Sequence, residues 1–111
     1  MNYDEFAERF LAALYLETER YNETYVSAGT IIKKYRLTPK SAWISRMADD
    51  WEYSYFKEVS KVLGGYEGWS FRISADGYRK VEADFIDETA VAAHLAEGSE
   101  DNIENFIIRI A

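Results

Sequence analysis

Apolar residues recur at helical spacing along most of the chain and alternate with polar ones in its second half. Phe6, Phe10 and Leu14 fall every fourth residue, with Ala7 and Leu11 beside them and Asp4 and Glu5 near the positive helix start. This predicts one amphipathic helix over residues 3–22. Tyr25-Val26 is a short β-prone step, and Ser27 is placed to cap a second helix over 28–36 that buries Ile31, Ile32 and Tyr35 and points Lys33 and Lys34 outward. Thr38-Pro39 supplies a capping hydroxyl followed by a residue with no amide to satisfy, so a third helix is expected to start at Pro39. Its stripe (Ile44, Ala48, Trp51, Tyr55, Val59, Val62) continues to Gly64-Gly65, as one long helix or two.

Beyond the glycines, Trp69, Phe71 and Ile73 alternate with polar residues, as do Val81, Ala83 and Phe85. A three-residue loop at 76–78 would pair Ile73 with Val81, Phe71 with Ala83 and Trp69 with Phe85, keeping the apolar residues on one face. The pattern favours this hairpin over a competing reading in which Ser74 caps a helix through 75–84. Asp87 can cap a helix over 88–97 that ends at Gly98, and Ser99 can start a last one with Ile103, Phe106, Ile107 and Ile110 on one stripe. Phe106 to Ile110 can also be read as an edge strand. The whole is expected to be one domain over 1–111, an α+β and mainly helical chain, with a core at 3–86 and a C-terminal helical extension at 87–111.

Composition narrows the chemistry. With 111 residues, 48% apolar and eighteen aromatics among them, the chain can form a core without disulfides or a structural metal. It has no cysteine and one histidine, which excludes zinc fingers, thiol redox sites, iron-sulfur sites and Cys-His nucleophile pairs. No apolar run reaches membrane-spanning length, and the acidic start Met-Asn-Tyr-Asp-Glu is unlike a secretory signal. A cytoplasmic location is expected, and the sequon Asn22-Glu23-Thr24 is then a chance match.

The net charge of −7 is unevenly spread. Residues 24–48 hold Lys33, Lys34, Arg36, Lys40 and Arg46 and no acid, and residues 69–81 hold Arg72, Arg79 and Lys80 against Asp76. An anionic partner would meet these two islands while the acidic remainder faced away.

Helix, short strand, helix, turn, Thr-Pro-capped helix and hairpin, in this order over about residues 3–86, resembles the winged helix-turn-helix domain. The segment from Tyr25 to Pro39 looks like that family's strand, second helix, turn and recognition-helix cap. The resemblance implies a non-enzymatic protein that binds duplex DNA, a small transcription or replication regulator, with the third helix in the major groove and the hairpin wing on adjacent phosphates. The implied DNA-binding residues are Lys33, Lys34, Arg36, Lys40, Ser41, Ser45 and Arg46 on the helix-turn-helix and Arg72, Arg79 and Lys80 on the wing. Arg46, opposite the Ile44 stripe, can read guanine bidentately, or it can pair with Asp49 or Asp50 on a solvated face. The alternative is an acidic protein-interaction module of the same fold, of phage or mobile-element type, that docks on, or mimics DNA toward, a nucleic-acid-binding protein and does not bind DNA.

Other features read as structure. Trp43 packs at the core edge. Gly65-Tyr66-Glu67-Gly68 stops a helix and leads into the hairpin, since Glu67 has the wrong charge to clamp phosphate. The carboxylate pairs Asp49-Asp50, Asp87-Glu88 and Glu100-Asp101 point in different directions on a helix, and His94 lacks ligand partners at helical spacing. No catalytic residue, metal or cofactor is expected. A homodimer is expected through Ile103, Phe106, Ile107 and Ile110, with Tyr15 and Tyr21 available on the first helix, against the reading that the last helix folds back over the core.

Overall fold

Asn2 opens the first helix, its side chain accepting a hydrogen bond from the Glu5 amide at 2.8 Å while Asp4 and Glu5 occupy the positive first turn. In this computed structural model, which describes residues 1–97, the helix α1 runs Tyr3–Tyr21. It is followed by β1 (Val26–Ser27), α2 (Ala28–Lys34), α3 (Ser41–Trp51), β2 (Phe56–Ser60), a 3₁₀ turn (Tyr66–Gly68), β3 (Ser70–Ile73), α4 (Ala75–Asp84) and α5 (Glu88–Glu97). The fold is α+β and mainly helical. The predicted last helix and the stripe Ile103, Phe106, Ile107 and Ile110 lie outside the described residues.

The three strands form one antiparallel sheet in the order β1-β3-β2. Val26 faces Phe71, and Phe71 faces Val59 on its other side; Phe56 faces Ile73 and Glu58 faces Arg72, with Lys57 as an extra residue between them. One face of the sheet packs on α1. Phe10 lies edge-on to Phe71 at 5.0 Å and to Phe56 at 6.2 Å, and all three are fully buried. Burying each such side chain is worth about 2–3 kcal/mol relative to exposure, and each edge-on pair adds roughly 1 kcal/mol. Around this aromatic centre close Ile31 from α2, Ile44 and Met47 from α3, Val81 from α4 and Val91 and Leu95 from α5.

The hairpin lies elsewhere than the alternation predicts. Trp69 to Ile73 does contain a strand, but its partner is 56–60; residues 75–84 form α4, the competing reading. The deciding group is Ser74. Its hydroxyl oxygen accepts from the Gly77 amide at 3.0 Å, its hydroxyl donates to the Ser54 carbonyl, and its amide donates to Tyr55 O at 2.9 Å. A cap tied this firmly to the preceding turn starts a helix, and within it only Val81 of the three alternating residues is buried.

The third helix begins two residues after Pro39 and ends at Trp51, so the long stripe is cut. Glu52 is extended, Tyr53 is left-handed at φ 71°, and the Ser54 amide and hydroxyl both donate to the Trp51 carbonyl, which reverses the chain into β2. Tyr55 and Val59 keep helical spacing by coincidence. Tyr15 is also corrected: it is buried edge-on against Tyr78 at 5.5 Å and offers no surface for a second copy. The caps Ser27 and Asp87 and the edge packing of Trp43, between Tyr3 and Phe6, match expectation. Among the described residues no helix is long and apolar enough to cross a membrane.

Candidate nucleic-acid interface

The α2-turn-α3 unit is fixed at both ends. Ser27 accepts from the Thr30 amide at 3.2 Å. At the other end Arg36 takes the left-handed conformation at φ 55°, and the Leu37 amide returns to the Ile32 carbonyl at 3.0 Å. Leu37 is thereby buried, Thr38 and Pro39 form the turn, and α3 leaves with Ile44, Met47 and Ala48 inward. Its outer side shows Ser41, Ala42, Arg46, Asp49 and Asp50, with Ser45 half-buried.

The basic residues of this unit have unequal surroundings. Lys34 is exposed, as its spacing suggests, but its head turns back onto α1. Its ammonium lies 2.7 Å from Glu17, the one buried carboxylate among the described residues, and 3.7 Å above the Tyr21 ring. The Tyr35 hydroxyl donates to the same Glu17 oxygen at 2.8 Å; burial first, and then this carboxylate, raise its pKa above the ordinary phenol value. Arg46 stacks 3.8 Å over Tyr3 with its Nε 3.9 Å from Asp50, and the Tyr3 hydroxyl donates to that carboxylate at 2.7 Å. It is a clasp between α1 and α3. Lys33 is exposed with no ion pair among the described residues, and Lys40 has only the Trp43 ring, at 5.9 Å.

Of the second basic island, only Arg72 is on the hairpin, on β3 and 5.7 Å from the Tyr25 ring. Arg79 and Lys80 belong to α4, where Arg79 pairs with Asp76 at 2.9 Å and Lys80 with Asp84 at 3.1 Å. Their assignment to a wing is corrected, because a helix start at Ser74 carries them off the hairpin. Sequence reading missed the cations that β2 and its loop do carry. Lys57 has no ion pair among the described residues, and Lys61 reaches Glu52 at 3.3 Å and Asp49 at 3.9 Å. The helical stripe hid both, although Gly64-Gly65 flags the hairpin loop.

That loop turns back toward the helices. The Glu67 carbonyl would lie 3.2 Å from a Cβ on Gly29 of α2, so a side chain larger than hydrogen there would press on it. Between the loop and the turn runs a groove of about 520 Å³ whose apolar lining is Ile32, Leu37, Pro39, Ile44 and Tyr66. Comparison of the chain with protein-family models, with curated proteins and with solved structures finds no match.

Proposed function

We propose that this is a winged-helix domain that binds duplex DNA through α2, the turn and the start of α3. The element order and the sheet order β1-β3-β2 support that layout, with β2 and β3 as the wing. One observation carries the binding reading. Away from these elements, Arg20, Arg79 and Lys80 are each ion-paired and Arg9 donates to the Leu95 carbonyl, whereas Lys33, Lys40, Lys57 and Arg72 have no carboxylate within ion-pair distance among the described residues. All four lie on the helix-turn-helix or the hairpin strands. Cations left without acids in an acidic chain are the groups whose counterions a phosphate backbone releases.

In this reading Lys33 and Lys40 meet phosphates, Ser41 and Ser45 add contacts at the helix start, and Arg46 stays with Asp50 and Tyr3. Fluorescence anisotropy on a mixed-sequence duplex tests it. Binding weakens steeply with salt, and replacing Lys33 and Lys40 by Ala lowers the log-log slope by about one each. Replacing Arg79 and Lys80 leaves the slope unchanged. No binding at low salt overturns the reading and turns attention to a protein-interaction module, which the acids Asp49 and Asp50 on the outer side of α3 favour; recovery of a single nuclease-resistant protein partner would mark it.

A further inference from the structure

The loop joining β2 to β3 carries a feature that DNA binding does not use. Leu63 at its tip is 102% exposed and Val62 48%; among the described residues Ile86, at 93%, is the one other large aliphatic side chain so far in water. A leucine held wholly in water gains nothing for the monomer. Next to it lies the groove described above, and the two are contiguous, because Gly64 and Gly65, which follow Leu63 directly, form part of the groove wall. Leu63 does not line its own groove. Gly64 and Gly65, at φ 107° and 122°, direct the chain so that the leucine stands outside while the backbone turns back.

A protruding apolar side chain beside an open groove, whose lining sets Ile32, Pro39 and Tyr66 among the polar groups of Thr38, Ser41 and Glu67, is self-complementary, which is what a two-fold contact requires. The charges agree. Among the described residues Glu67, which lines the groove on the loop side, has no ion pair, and Lys40, between the groove-lining Pro39 and Ser41, has no carboxylate partner. We infer that two copies of this chain associate through this surface, each placing Leu63 in the other's groove, with Glu67 of one copy against Lys40 of the other. The partner is therefore a second copy and not the minor groove, which an uncharged tip followed by Glu67 would meet poorly. The inference does not depend on DNA binding; since both uses of Lys40 exclude one another, this dimer is the form without DNA.

Light scattering and sedimentation equilibrium on the full chain test it. The wild-type chain is expected to dimerise, and Leu63→Asp to raise the dimer dissociation constant on the order of thirtyfold or more, as for an interface hot spot. Circular dichroism and the melting temperature of dilute samples should not change, because the side chain is exposed. Glu67→Lys alone weakens the dimer, and adding Lys40→Glu restores it, which a general loss of folding would not produce. A wild-type monomer at high concentration overturns the inference. So does a dimer indifferent to Leu63→Asp, or a double charge reversal no tighter than Glu67→Lys.

Discussion

Helix α1 and the loop after β2 are built on opposite rules. Eight consecutive residues of α1, Phe10 to Glu17, are buried, and all eight residues from Lys61 to Gly68 are exposed. A helix buried all round needs cover on every side, and α1 has it from the sheet, α2, α4 and α5. Even its carboxylate at Glu17 is enclosed, at 4% exposure, and is kept by two hydrogen-bonding partners, Lys34 at the end of α2 and Tyr35 just after it. The loop has two left-handed glycines and an apolar tip that none of the described residues covers. Where packing determines every position, a side chain serves the fold; where it determines none, the residues present are available for contact.

The widest separation between the two regions should appear in the stability of alanine variants. Phe10→Ala removes the ring between Phe6, Phe56 and Phe71 and should cost about 4 kcal/mol, whereas Leu63→Ala should stay within roughly 0.5 kcal/mol. Urea unfolding of dilute protein measures both. Similar losses would mean that the loop is part of the core after all.

Glycines sharpen the same contrast. A Cβ at Gly77 would sit 2.4 Å from the Tyr55 carbonyl and 2.6 Å from Ile73 Cγ1, and the carbonyl cannot move without disturbing the cap at Ser74. Gly77→Ala should therefore destabilise by about 3 kcal/mol. At Gly64 none of the described residues lies within 4 Å, so only the positive φ opposes alanine, at about 1 kcal/mol. Equal costs would remove the distinction between a close-packed glycine and a merely left-handed one.

These positions also show where sequence reading stops. The core-facing stripe of α1 was legible, since Phe6, Phe10 and Leu14 recur every fourth residue, and so was the cap at Ser27; the burial of α1 all round was not, because a single stripe predicts an amphipathic helix with a wet side. The hairpin was not. Val81, Ala83 and Phe85 satisfy a strand's alternation, and Trp51, Tyr55 and Val59 satisfy a helix's period, so short segments fit both templates. The choice was made by contacts distant in sequence: β2 and β1 flank β3, and Ser74 binds the turn at Ser54 and Tyr55. Among the candidate site residues, the exposed character of Lys33, Lys40 and Ser41 could be read from spacing. The recruitment of Lys34 by Glu17 and of Arg46 by Tyr3 could not, because the partners come from α1, 17 and 43 residues away in the chain.

Glu17 is the polar counterpart of Phe10. Glu17→Ala leaves the Tyr35 hydroxyl without its acceptor and Lys34 without its carboxylate; since Lys34 is partly in water, the loss should be about 2 kcal/mol and less than that of Phe10→Ala. Glu17→Gln keeps an acceptor for Tyr35 and should recover part of it. If Glu17→Ala unfolds as the wild type does, the buried network adds nothing beyond filling space.

The smallest effect is a dependence on alkaline pH that only the enclosed side of the molecule should show. Tyr78 of α4 rests edge-on against Tyr15, and burial, followed by the neighbouring Glu19, pushes its phenol up to about 12. Tyr15 is raised in the same direction, by burial first and then by acids led by Glu82. In the unfolded chain a tyrosine gives up its proton near pH 10. A phenol that holds its proton longer when folded leaves the unfolded state favoured once that state begins to ionise. The contribution of Tyr78 is thus fully present below pH 10, declines from there and is lost by about pH 12. Urea midpoints measured from pH 8 to 12 should fall less steeply for Tyr78→Phe than for the wild type, with the two curves parallel below pH 10. Curves that stay parallel up to pH 12 would show that the Tyr78 hydroxyl is as free in the folded chain as in the unfolded one, and that α4 covers α1 less closely than the ring contact requires.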